Sequence, residues 1–183
     1  MSSSRYLIRE ATESDAKGIA FVHVNSWKTS YAGIIDQSFL DTISYDQRLA
    51  SWTKILQSKN TQQFVALFDE QIVDFAGFGP IRSESRINHP LLKDKNVNIG
   101  EVYAIYLLEE YKRKGLGKVF FNKCRLWFDQ HEVNSFITWV LADNHRAIHF
   151  YKSEGGEVIE EMVITIGDKK YQETCYVFTT QTS

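Results

Sequence analysis

Residues 111–120 read Tyr-Lys-Arg-Lys-Gly-Leu-Gly-Lys-Val-Phe, a basic turn punctuated by Gly115 and Gly117. An apolar run at 102–108 precedes it, and an amphipathic segment at 116–128 follows. Strand, glycine turn and helix start form an anion cradle: main-chain N–H groups converge, the helix N-terminus adds partial positive charge, and basic side chains add whole charges. A Walker-A loop would need glycine at 112 and a hydroxyl at 119, where Lys112 and Val119 stand. A dinucleotide fingerprint would need a third glycine where Phe120 stands. What remains is Lys112-x-x-Gly115-x-Gly117. Its four cations, Lys112, Arg113, Lys114 and Lys118, have no interleaved aromatics, which suits one polyphosphate better than nucleic acid.

Other residues flank the turn. Glu101 interrupts the apolar run at 97–108 and reads either as a solvent-facing strand-end residue or as a carboxylate with chemistry to do. Downstream, 141–151 reads Leu-Ala-Asp-Asn-His-Arg-Ala-Ile-His-Phe-Tyr. Asn144 suits a helix N-cap, and Tyr151 lies two helical turns on, on the same side. His145 and His149 have a zinc-compatible i, i+4 spacing, but the glutamate of an HExxH site is absent and Arg146 opposes a cation, so no metal is expected. Cys124 falls on the amphipathic segment without a base partner and reads as core.

These residues need a scaffold. The chain has 183 residues, a net charge of −2 and 43% hydrophobic residues, which suits one globular domain, here placed at 5–180. The charge balance gives no support for nucleic acid as partner. Two cysteines without a CxxC, no signal-peptide core and no run near the ~18 apolar residues needed to span a bilayer point to a soluble, cytoplasmic protein. Helices are expected at about 12–28, 36–43, 45–56, 115–131 and 144–153. Strands are expected at 6–9, 63–68, 72–81, 97–108, 135–141, 158–166 and 171–179, with a polar surface loop at 82–96. That order gives one mixed α/β sheet with helices on both faces.

Turn, strand and helix together resemble the GNAT (GCN5-related) N-acetyltransferase superfamily over nearly the whole chain. Lys112-x-x-Gly115-x-Gly117 is similar to its coenzyme-A loop, Gln/Arg-x-x-Gly-x-Gly/Ala, with lysine at the first position. Asn144 to Tyr151 is similar to its Asn-x-x-Ala-x-x-Phe-Tyr segment. Trp27, Tyr31 and Gly33-Ile34 resemble a Trp-x-x-x-Tyr-x-Gly-Ile segment of bacterial members with unassigned acceptor.

The resemblance implies a single-domain GNAT fold with a twisted sheet of about seven strands. It implies acetyl-CoA as cosubstrate, no metal and no membrane. Residues 112–118, Asn144 and Ala147 would hold the cofactor, with main-chain groups of Ile105, Tyr106 and Leu107 beside a bulge near that strand's end. Tyr151 would protonate the departing thiolate, unless it is a core aromatic. Glu101 would take the acceptor's proton, directly or through water. Trp27, Tyr31 and Tyr103 would wall the acceptor, a small-molecule or peptide amine, although Trp27 and Tyr31 suit a core equally. A homodimer is compatible with this reading. Freeing an amine of pKa ~10 from its proton at pH 7 costs about 4 kcal/mol, which is why the chemistry calls for a base. A CoA- or acetyl-CoA-binding sensor or regulatory module, without turnover, is the alternative.

Overall fold

The computed structural model describes residues 6–58, 60–82, 90 and 98–180. Strand β1 (Leu7–Glu10) leads through a 3-10 turn (Glu13–Asp15) into α1 (Ala16–Ser30), α2 (Gln37–Asp41) and α3 (Tyr45–Gln57). Strands β2 (Gln62–Phe68), β3 (Gln71–Pro80) and β4 (Ile99–Leu107) follow. A second 3-10 turn (Glu109–Tyr111) precedes α4 (Leu116–Gln130), β5 (Ser135–Leu141) and α5 (His145–Ser153). The chain ends in the hairpin β6 (Glu157–Ile166) and β7 (Lys169–Thr179). These elements match the expected order. The loop expected at 82–96 lies almost wholly outside the described residues, as does Val97, the expected start of β4.

The seven strands form one sheet in the order β1-β2-β3-β4-β5-β7-β6. All neighbours are antiparallel except β4 and β5. That parallel ladder is short: Ile99 faces Ser135, Gly100 faces Phe136 and Glu101 faces Ile137, and there it stops. Beyond it β4 stays with β3 as far as Asp74–Leu107, and β5 stays with β7 as far as Leu141–Glu173. The sheet therefore splits between its two central strands.

A bulge accompanies the split. Gly77 faces Ala104 and Phe78 faces Val102, so Tyr103 is the extra residue on β4. An extra residue bends a strand and increases its twist. The bulge lies at mid-strand, earlier than the end position expected around Ile105 to Leu107.

Two packed layers hold the split open. On one face α4 buries Leu116, Phe120, Phe121, Cys124 and Phe128, a stripe at helical spacing. Fully burying each of the large ones is worth roughly 1.5–3 kcal/mol. Phe136 stacks on Phe178 at 5.1 Å and on Phe128 at 5.1 Å. Gly100 lets α4 approach, since a Cβ there would lie 2.2 Å from Phe128 Cε1. On the other face α1 packs over β3 and β4, and the Ser26 hydroxyl donates to the Leu107 carbonyl at 2.9 Å. The β6–β7 turn reaches the α1–α2 connection, where the Asp36 N–H donates to the Tyr171 hydroxyl at 2.9 Å and Lys169 pairs with Asp36. Among the described residues no helix is long and apolar enough to cross a membrane.

Candidate active site in the split sheet

A cavity of about 1150 Å³ occupies the split and runs from the glycine turn to the α1–α2 connection. Its first wall is the turn itself. Gly115 adopts φ +83° as N-cap of α4, and Arg113 sits at φ +59°. The left-handed region strains residues with a Cβ, so Gly115 closes the turn at low cost. Nothing lies within 4 Å of a Cβ built on Gly115 or Gly117. These glycines therefore leave room beside the turn rather than inside the protein. The first N–H groups of α4 have no intrahelical acceptor and present partial positive charge there.

Lys112, Arg113 and Lys118 line this end of the cavity with Gly115 and Gly117. Lys114 instead stands over the Tyr111 ring at 5.1 Å, and Leu116 is buried under the helix. Glu109 lies among the cations: Lys112 Nζ reaches Glu109 at 2.6 Å and Ser30 at 3.0 Å, and Arg146 reaches Glu109 at 3.4 Å. The Lys112 hydrogen bond holds the Glu109 carboxyl below its usual range. A polyphosphate entering this turn would compete with that carboxylate for both cations.

The second wall is the inner edge of β4. Leu108 N–H bonds the Val73 carbonyl at 3.0 Å, so strand alternation turns the main-chain groups of Ile105 and Leu107 toward the split. Ile105, Tyr106 and Leu107 all line the cavity. Across it Asn144 caps α5, its side-chain oxygen accepting from Ala147 N–H at 3.2 Å, and Ala147 keeps that helix face low.

Tyr151 lines the cavity near the point where the ladder ends. Thr138 donates to the Val102 carbonyl at 3.0 Å, the first link past the last paired residues, and the Tyr151 hydroxyl lies beside Thr138. Burial pushes the Tyr151 phenol up to about 12, partly opposed by Thr138. The protein thus keeps a protonated phenol at the fork of the sheet. Thr138 carried no sequence signal, because its role depends on two strands separating.

At the far end Tyr31 and Tyr103 line the cavity, and the Tyr31 and Tyr106 hydroxyls lie 3.1 Å apart. Burial raises both of those phenols. Trp27 is not on the wall. It stands behind it, 4.9 Å from the Tyr31 ring, with Arg48 over its own ring at 5.6 Å.

Glu101 also differs from its expected place. Its side chain is wholly buried and does not line the cavity. Arg82 N–H donates to one carboxylate oxygen at 2.9 Å, and the Arg82 guanidinium holds the other through Nε at 2.9 Å and Nη2. The same guanidinium stands 4.9 Å over the Tyr103 ring. A carboxylate clamped this way orders Arg82, and through it the guanidinium over the Tyr103 ring. Arg82 was missed because it lies past the end of β3, and an ion-pair partner on a distant segment leaves no local pattern.

A basic glycine turn at a helix N-terminus, a strand edge that β5 has left and a protonated phenol at the fork thus share one long cavity. The Acetyltransferase (GNAT) family profile matches residues 11–155. The chain belongs to the GNAT acetyltransferase family, and so to the acetyl-CoA-dependent N-acetyltransferases. It is 34% identical over 168 residues to the uncharacterized N-acetyltransferase YuaI of Bacillus subtilis (strain 168), covering 91% of this chain and 88% of that one. It is 26% identical to the probable N-acetyltransferase Rv2775 of Mycobacterium tuberculosis, covering 84% and 81%. The fold is that of the PaiA N-acetyltransferase from Thermoplasma acidophilum, solved with coenzyme A, at a TM-score of 0.68 and 20% identity, covering 92% of this chain and 98% of that one.

Proposed function

We propose that this enzyme transfers acetyl from acetyl-CoA directly to a primary amine of a small molecule or peptide, in a ternary complex, with Tyr151 as proton donor to the departing sulfur. The observation that carries the reading is the Tyr151 phenol on the cavity wall beside Thr138, where β4 and β5 part. Bound acetyl-CoA supplies an activated thioester. The chain's own residues do the rest. The first turn of α4 with Gly115 and Gly117 receives the pyrophosphate, aided by the charges of Lys112, Arg113 and Lys118. The main chain at Ile105 and Leu107 pairs with the pantetheine arm, with Tyr106 beside it, and Asn144 and Ala147 flank that arm.

Lys114 and the side chain of Leu116 support the turn without facing the ligand. Tyr31 and Tyr103 wall the acceptor, Trp27 backs Tyr31, and Glu101 holds Arg82 in place. Residues 5–180 form the catalytic domain. Attack is direct because neither cysteine suits a covalent step: Cys124 and Cys175 are both fully buried, and burial pushes both thiols up, away from the nucleophilic thiolate.

Tyr151→Phe tests the reading in a thiol-release assay with a panel of primary amines. Loss of a general acid lowers kcat by about a hundredfold or more while leaving coenzyme-A affinity unchanged. An unchanged kcat would remove Tyr151 from the chemistry. Tight coenzyme-A binding without turnover on any amine would refute the transferase reading as a whole.

A further inference from the structure

The two ends of the cavity are joined by a side chain of the glycine turn. Ser26 and Ser30 stand one helical turn apart on α1, and both hydroxyls leave the helix for a partner outside it. Ser26 donates to the Leu107 carbonyl at the end of β4 at 2.9 Å. Ser30, the last residue of α1, accepts from Lys112 Nζ at 3.0 Å, across 82 positions of sequence. Lys112 thereby also sets a whole positive charge at the C-terminal end of α1, where unpaired carbonyls carry partial negative charge.

Both ends of this bridge are firmly mounted. Lys112 follows the 3-10 turn Glu109–Tyr111, and the Tyr111 ring packs 5.4 Å from Phe68 and 6.4 Å from Tyr6. Ser30 leads directly into Tyr31, whose carbonyl accepts from the Ile34 and Ile35 N–H groups, each at 2.9 Å. That carbonyl is the pivot of the α1–α2 connection, and Tyr31, Ala32 and Ile34 line the far end of the cavity. The Tyr31 hydroxyl completes the anchorage, 3.1 Å from that of Tyr106. Where Ser30 stands therefore sets where this wall stands.

An ammonium group has three N–H donors. Among the described residues Lys112 uses two, on Ser30 and on Glu109 at 2.6 Å. Its side chain is 21% exposed and lines the cavity together with Arg113 and Gly115. A phosphate oxygen at the turn can take the third donor without breaking the other two bonds. Lysine suits this task better than the planar fork of arginine, because its three donors address acceptors in different directions.

We propose that Lys112 is a positioning residue that couples the two ends of the cavity: with a phosphate on its third N–H it pins the end of α1, so the filled turn fixes the acceptor wall. The inference rests on the transferase reading for what that wall receives, and it gives Lys112 a task beyond phosphate charge.

The probe is coenzyme A, with pantetheine, which lacks the phosphates, as control. The readout is amide hydrogen exchange in the peptide covering 31–35. Ser30→Ala removes the hydroxyl and keeps every cation, and Ser30→Thr returns it; thermal unfolding first confirms that both are folded. Coenzyme A slows exchange about threefold or more in the parent and in Ser30→Thr, and pantetheine does not. Ser30→Ala loses the slowing, and by reciprocity its calorimetric coenzyme-A affinity falls by no more than the same factor. No slowing in the parent, equal slowing in Ser30→Ala, or equal slowing by pantetheine overturns the proposal. At saturating acetyl-CoA the KM of an amine that turns over rises about two- to tenfold in Ser30→Ala, and adding Ser30→Ala to Lys112→Met raises it no further. An unchanged KM, or additive losses, also overturns the proposal. Ser30-dependent slowing without turnover on any amine keeps the pin and refutes the transferase reading. Turnover with slowing that does not depend on Ser30 does the reverse.

Discussion

Replacing Gly117 with alanine adds one methyl group to the first turn of α4, at a point where, beyond its own turn, no atom of the described residues lies within 4 Å. Gly117 is not among the positive-φ glycines, so the new Cβ meets neither strain nor a clash. The unfolded chain loses freedom, and the free protein gains about 0.5–1 kcal/mol. For a chain of this size that raises Tm by about 2–4 °C per kcal/mol. The same methyl fills the space through which a pyrophosphate approaches the helix N-terminus. Losing one charge-assisted hydrogen bond costs about 1.5–3 kcal/mol, or roughly ten- to hundredfold in coenzyme-A affinity. Stability and binding therefore move in opposite directions. Thermal unfolding without ligand gives the first quantity and calorimetric coenzyme-A titration the second. Unchanged coenzyme-A affinity in Gly117→Ala would place the pyrophosphate elsewhere, and a lower Tm would mean that the turn packs against something. Gly115→Ala gives the contrast: φ +83° makes it destabilising by about 1–2 kcal/mol, so it cannot separate the two effects.

Two further outcomes are expected. Glu109→Gln frees Lys112 and Arg146 from an internal carboxylate and tightens coenzyme-A binding by up to about fivefold, the range of exposed ion pairs; weaker binding would show that Glu109 orders the cations instead of competing for them. Asp74 is wholly buried on β3 with no well-formed hydrogen bond to either oxygen, and burial pushes its carboxyl well above the usual range, only weakly opposed by the Phe75 amide. The folded state binds this proton more tightly than the unfolded one, so the contribution of Asp74 to stability is greatest below the unfolded value near ~3.9 and is lost as pH rises above it. Asp74→Asn removes that slope and gains about 1–3 kcal/mol at neutral pH; denaturant unfolding at pH 4 and pH 8 checks it, and a parent–variant gap that does not widen with pH would refute it.

Much of the architecture was legible in order along the chain. The strand at 135–141 was placed to the residue, and the other elements to within a few. Their signals are local: apolar alternation, the Asn144 cap and the glycines at 115 and 155–156. The site was legible where it is contiguous. The glycine turn and the Asn144–Tyr151 helix each lie within one short segment, and both line the cavity.

The parts that differ depend on distant segments meeting. Glu101 looked like a base because it interrupts an apolar run. Its clamp, Arg82, lies 19 residues away on a neighbouring segment, and the pair closes on itself.

The amino-acid sequence by itself determined the basic glycine turn, the capped helix that carries Tyr151 and the order of the strands. Each follows from propensity, capping and periodicity within a few residues, which act before the chain folds back on itself. Tertiary structure alone decided where β4 leaves β5, that Thr138 bridges the parting strands, that Tyr103 is the bulge, and that Glu101 is clamped by Arg82 away from the cavity. Those outcomes depend on register between strands far apart in the chain. A one-residue slip in register would turn every side chain to the other face.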